Sequence, residues 1–291
     1  MRLTAWILAC GAATTLAGCS GGGAGTTTHP ARTRTHSAVT VVTESVSATV
    51  PATRTVATVP APAPVTQKPA PVLAGKVVGI DPGHNGLNYT DPGFIDHLVW
   101  NGRGEETCNT TGTETDGGYT EAQFNFNVAT YLAADLRAEG AKVVLTRHNN
   151  HGVGPCVTTR AHIIDSSHAN VAVDIHADGG PPGGRGFTIL EPVADGPNDH
   201  VIVAARKFGR DLLTSYRALT GMPESTYDGT DGISFRSNLA GLNLTTVPEV
   251  LIECGNMRNA TDAALLVTAS FQRRAAKAIA QAITEFVTGR V

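Results

Sequence analysis

Two histidines and two glutamates carry the chemistry open to this chain: His84 in GIDPGHNG, Glu121 in GYTEAQF, His176 in VAVDIHADGG and Glu253 in EVLIECGN. Two imidazoles and a carboxylate suit a zinc ion that keeps one coordination position for water. A further carboxylate is the base such a site needs to take a proton from that water. Taken singly, each residue has a plainer reading. A histidine at a strand end is often only hydrogen-bonded. An acid in the first turn of a helix often only complements the helix dipole. The case for a site rests on the four converging.

The hydrophobic pattern shows the elements that must bring them together. Residues 76–80 (KVVGI) form a short apolar run before DPGHNG, which predicts a buried parallel strand and then a loop. Residues 121–139 predict a helix, because Phe124, Val128, Tyr131, Leu132 and Leu136 recur at three and four. Thr120 and Gln123 give it a capping-box start, and Gly140 a stop. Further strands are predicted at 141–147, 170–178, 184–190 and 247–253, and further helices at 157–168, 200–219 and 261–288. This alternation implies a single α/β domain over 75–291, with a mostly parallel twisted sheet flanked by helices. Ligands of such open sheets bind outside the carboxyl ends of the strands. His84, His176 and Glu253 fall there, and Glu121 opens a helix.

At these residues the chain resembles the zinc-dependent N-acetylmuramoyl-L-alanine amidases of bacterial cell walls. The resemblance covers 75–291: the strand with IDPGHNG, the glutamate opening a helix that runs into GAKVVLTR, the helix TRAHIIDSSHAN feeding DIHAD, and PEVLIECGNMRN before a long last helix. It implies a phosphorylase/hydrolase-like fold. It implies one zinc held by His84, Glu121 and His176, with Glu253 as the catalytic carboxylate. The bond cut would join the lactyl group of N-acetylmuramic acid to the L-alanine of the stem peptide, in peptidoglycan or in muropeptides. Arg147, Arg160, Asn170, Arg236 and Asn259 also fall at family-like positions. Arg147 and Arg160 read as structural, pairing with acids near the sheet; Arg236 and Asn259 read as candidates for substrate or site support. Two features depart from the family: LTR continues HNN where an acid is common, and residues 88–120 form a long polar insertion holding Asp91, Trp100, Cys108 and Asp116. The insertion reads as a flap or hairpin beside the site. Two rival functions stay open: a zinc exopeptidase on wall peptides, and a non-catalytic wall-binding lipoprotein.

Other parts of the chain set the location. Residues 1–19 have the order of a secretory signal, and Leu16-Ala17-Gly18-Cys19 resembles a lipoprotein lipobox, which makes Cys19 a candidate for lipidation. Residues 20–74 are rich in Thr, Ala, Val, Ser and Pro and hold no aromatic residue. Such a segment cannot offset its ordering entropy by burial. It reads as a tether reaching roughly 40 Å. The expected location is the periplasm or cell envelope, with the membrane touched only through that lipid. The net charge is −3, with the basic excess inside the first 70 residues, so the rest is acidic and does not suit nucleic acid. A monomer is expected. Cys108 and Cys156 lie in polar loops and are candidates for a disulfide. Cys254 reads as a buried thiol, with a nucleophile as the weaker alternative. His97, His148, His151 and His200 read as solvated, and His162 and His168 as locally hydrogen-bonded. GGPPGGRG (179–186) lacks the lysine and hydroxyl of a nucleotide loop and reads as a rim after His176.

Overall fold

β1 (Val77–Pro82) is the second strand from one edge of a six-stranded sheet. A computed structural model of the chain describes residues 70–194 and 196–289. The signal, most of the tether and Cys19 lie outside the described residues. After β1 come α1 (Pro92–Ile95), the hairpin β2 (Leu98–Trp100) and β3 (Glu105–Thr107), then α2 (Glu121–Ala138) and β4 (Lys142–Leu145). There follow α3 (Val157–Ser166), β5 (Val171–Asp178), β6 (Thr188–Pro192), α4 (Ile202–Thr220) and β7 (Ile233–Arg236). The chain closes with α5 (Ala240–Leu244), β8 (Glu249–Asn256), α6 (Ala260–Leu266) and α7 (Ala269–Thr288). The sheet order is β4-β1-β5-β8-β6-β7, parallel throughout except where β6 runs against β8. The expected fold class is present. Among the described residues no helix is long and apolar enough to cross a membrane.

Alternation along β5 sets the two faces of the sheet. Val171, Val173, Ile175 and Ala177 join Phe124, Leu132, Phe208 and Ile279 in the main core, beneath the layer of α2, α4 and α7. Alanines 275, 276, 278, 280 and 282 of α7 are buried, which lets that helix pack closely against its neighbours. On the other face Ala172 packs on Ile164 of α3, and Leu190 and Leu251 pack on Leu242 of α5. These two short helices cover only part of that face, and the remainder is a cleft.

Several boundaries differ from those the pattern predicts. The strand expected at 184–190 spans Thr188–Pro192. Gly186 has φ +103, and a Cβ there would meet the Pro223 carbonyl oxygen at 2.5 Å, so this stretch is a close crossing rather than a ladder. The helix expected at 261–288 is two, because Thr268 caps α7 by accepting the Phe271 N–H. At α2 Thr120 accepts the Gln123 N–H, but the Gln123 side chain donates to Asn127 instead of closing a capping box. The insertion, expected to be a flap or hairpin, includes a hairpin. Its β2 and β3 are short and antiparallel, and Asn101 caps their turn by accepting the N–H groups of Arg103 and Gly104.

Candidate metal centre

The site is built on β5 and its two neighbours. Asp174, His176 and Asp178 share the cleft face of β5, and His176 pairs in register with Glu253 of β8. His84 stands two residues beyond β1 with φ 58, a backbone conformation unusual for a side-chain-bearing residue. Arg160 holds it there, donating to the carbonyls of Pro82 (2.9 Å) and His84 (2.6 Å) and pairing with Asp81 at 2.5 Å. The preceding Gly83 has no freedom to be anything larger: a Cβ would lie 2.2 Å from His176 Nε2.

Glu121, the first residue of α2, projects between the two imidazoles. Its Oε2 is 3.1 Å from His84 Nε2, and its Oε1 is 2.8 Å from His176 Nδ1. One ligand atom from each of His84, Glu121 and His176 lies within 4.8 Å of the others, a nitrogen-and-oxygen set that fits zinc. The far side of each ligand is also engaged. His84 Nδ1 is 3.2 Å from the Thr110 carbonyl, so a proton on Nδ1 leaves Nε2 facing the centre. His176 Nε2 is 3.2 Å from Asp174 Oδ1, which leaves Nδ1 facing it. Glu121 accepts N–H bonds from Thr113 (2.9 Å) and Ala177 (3.2 Å). Burial alone would raise the Glu121 carboxyl, but His84 and His176 outweigh it and hold it well below the ordinary range. Glu253 is the opposite case. Burial pushes it well above the ordinary range, Glu121, Asp178 and Asp174 add to the rise, and His176 opposes it. Its Oε2 is enclosed without a hydrogen-bond partner among the described residues.

The cleft that holds these groups has a volume of about 510 Å³. His84, Glu121 and His176 line one part, with Thr110–Thr113 of the insertion over them; Leu190, Leu251, Leu242, Asn238 and Arg236 line another. The sequence pattern of the N-acetylmuramoyl-L-alanine amidase family matches residues 78–285. The chain belongs to this family. It is 39% identical over 222 residues to the N-acetylmuramoyl-L-alanine amidase Rv3717 of Mycobacterium tuberculosis, covering 74% of this chain and 88% of that protein. Its fold is similar to that of the N-acetylmuramyl-L-alanine amidase Ami1 of Mycobacterium smegmatis, with a TM-score of 0.70, 38% identity, and coverage of 75% and 99% of the two chains. Ami1 of Mycobacterium abscessus gives 0.69 at 38% identity, covering 74% and 99%.

Within this amidase fold, the other residues picked from the sequence take distinct places. Arg160 pairs with Asp81 as expected. Arg147 does not pair with an acid: its guanidinium donates to the carbonyls of Pro82, Gly83, Ala122 and Asn149 and to Asn150 Oδ1. The HNN that follows LTR therefore supplies neutral acceptors in place of a carboxylate. Asn170 accepts the Val77 N–H at 2.8 Å and ties β1 to the start of β5. Asn259 is not in the cleft. It caps α6, accepting from Thr261 and Asp262, and donates to the Pro182 carbonyl. Arg236 does line the cleft. Cys108 and Cys156 form a disulfide, with His97 exposed beside it and its Nε2 3.6 Å from Cys156 Sγ. Cys254 is a free thiol in the main core on the face opposite Glu253, where burial raises its pKa, so it has no access to the cleft.

Asp174 escaped the sequence reading, although its place two residues before His176 on a strand was the available signal. Thr110, Gly112 and Thr113 escaped it for lack of any signal, since TTGT carries no periodicity. A Cβ on Gly112 would lie 2.8 Å from both Glu121 Oε2 and His84 Cδ2. The glycines of GGPPGGRG are spacers of another kind: Gly180 and Gly184 make room for the Tyr227 ring.

Proposed function

We propose that the chain is a zinc-dependent amidase that hydrolyses the bond between N-acetylmuramic acid and L-alanine in peptidoglycan or its fragments. His84, Glu121 and His176 hold the metal, and Glu253 is the general base. The observation that carries this is the convergence of the three ligands next to a cross-strand glutamate whose Oε2 is unpartnered among the described residues. Bound there, zinc would supply a Lewis acid that polarises a carbonyl and lowers the pKa of water to about 7. Glu253, paired across the strands with His176, is placed to take a proton from the attacking water. It returns that proton to the alanine nitrogen as the amide bond breaks. Asp174 and the Thr110 carbonyl orient the two imidazoles, and the Thr113 and Ala177 N–H groups fix the Glu121 carboxylate.

Metal analysis joined to mass spectrometry of a digested muramyl peptide tests this. The expected products are the free stem peptide with N-terminal alanine and the intact lactyl sugar. A peptide shortened from one end would replace the reading with an exopeptidase. Full activity after exhaustive chelation would remove the metal from it. A purely binding role gives no reason for Glu253 to stand beside the ligands.

The reading extends to place. Residues 1–19 direct export, Cys19 carries the lipid, and residues 20–74 let the domain at 75–291 reach the wall from a membrane. Cys19→Ser should release the protein from membranes, and unchanged partition would count against the anchor.

A further inference from the structure

The metal ligands occupy one part of the cleft, and Arg236 at the end of β7 lines another. The two are connected by strand register. Thr188 of β6 pairs with Glu253, and Pro192 of the same strand pairs with Arg236. Arg236 is therefore two strands across, ~10 Å, and four residues along, ~13 Å, from Glu253. The backbones are then roughly 16 Å apart. After allowance for both side chains, this is about two to three residues of extended peptide at ~3.5 Å each.

The charges of the cleft differ along this line, with Glu106 of β3 the lining carboxylate toward the other end, where it accepts the Ala240 N–H at 3.0 Å. Glu121, Asp174, Asp178 and Glu253 make the metal end acidic, and the one arginine close to them, Arg160, is committed to Asp81 and backbone carbonyls. Arg236 has capacity to spare. One terminal nitrogen pairs with Asp228 at 3.0 Å, Nε is buried without a hydrogen-bond partner among the described residues, and the side chain as a whole is 37% exposed, so the accessible donors are at the guanidinium tip. Asp228 fixes one corner of a planar fork and leaves other donors for a second carboxylate. Exposed Asn238 lines the cleft two residues on.

We infer that Arg236 forms a subsite for a stem-peptide carboxylate, two or three residues beyond the bond that is cut. The inference rests on the amidase reading above. The sugar side offers no such anion, because the lactyl carboxyl is consumed in the amide. Peptide therefore runs from the metal centre across β8 and β6 toward β7. Two positions of a stem peptide supply the same chemistry: the free α-carboxylate of a γ-linked glutamate at the second residue, and the additional carboxylate of a diamino diacid at the third.

Paired substrates separate them. Wild-type protein and Arg236→Gln are compared on muramyl dipeptides with isoglutamate or isoglutamine second, and on muramyl tripeptides with a diamino diacid or lysine third, each with its C-terminal carboxyl amidated so that the pair differs only in the carboxylate tested. Wild type should favour the carboxylate-bearing member of one pair by about tenfold in kcat/KM, mostly through KM. Arg236→Gln should abolish that preference and bring the two members of the pair to equal kcat/KM. The pair that responds names the position. Each comparison lies within one protein, so a general folding defect lowers both members together and does not imitate the result. Asp228→Asn should keep the preference, because the guanidinium remains. Equal losses on both members of both pairs, or no wild-type preference in either, would overturn the inference. Failure of wild type to release stem peptide from any of the four would overturn the amidase reading, and this one with it.

Discussion

The backbone N–H of Thr113 donates to Glu121 Oε2 at 2.9 Å, so the 88–120 insertion is part of the candidate metal centre. It also brings the Thr110 carbonyl to His84. The Cys108–Cys156 bridge fixes this segment two residues before Thr110 and ties it to the start of α3.

Replacing Cys108 and Cys156 together with serine should therefore lower stability by about 2–4 kcal/mol through loop entropy. It should also loosen the metal, because Thr110 and Thr113 lose their anchor. Thermal unfolding and chelator competition measure the two effects. If stability falls and metal retention does not, the insertion is only a stapled surface loop.

Asp174 should act on the metal through His176. Removing an outer partner of a ligating histidine typically costs 10–100-fold in metal affinity or activity. Asp174→Asn is expected in that range when zinc affinity is measured by competition with a chromogenic chelator. Unchanged affinity would show that Asp174 only fills space beside Asp81.

Glu253→Gln should keep zinc at full occupancy and lose roughly 10²–10⁴ in kcat, the usual contribution of a positioned acid–base group. The amide is close in shape to the carboxylate and cannot take the proton. Residual activity near wild type would assign the proton transfer to another group.

Glu249 gives a pH prediction away from the metal. Burial raises its carboxyl well above the ordinary range, and Asp174 adds to the rise. The folded state thus holds its proton more tightly than the unfolded chain. The associated stability is fully present below the unfolded carboxylate pKa and is lost as pH rises through the folded value. Glu249→Gln carries no titrating proton, so its melting temperature should fall less than that of wild type from acid toward neutral pH. Parallel melting profiles for the two proteins would count against this.

The sequence by itself determined the layer architecture, because periods of two and of three-to-four residues record which side of each element is buried. It placed His84, His176 and Glu253 at strand ends and Glu121 at a helix start, and it named Cys108 and Cys156 as candidates for the disulfide that the structure contains. It went wrong where a local pattern has two structural outcomes. Arg147 could meet acids or carbonyls, and Asn259 could face a ligand or cap a helix; only the fold, by choosing their neighbours, decides.

Tertiary structure alone decided the surroundings of the four residues. The 3.2 Å approach of Asp174 to His176, the TTGT backbone over Glu121, and the line from Glu253 to Arg236 all join segments far apart in the chain. Contacts of this kind arise from strand register and from the path of an irregular loop, and neither leaves a periodic trace in the residues that make them.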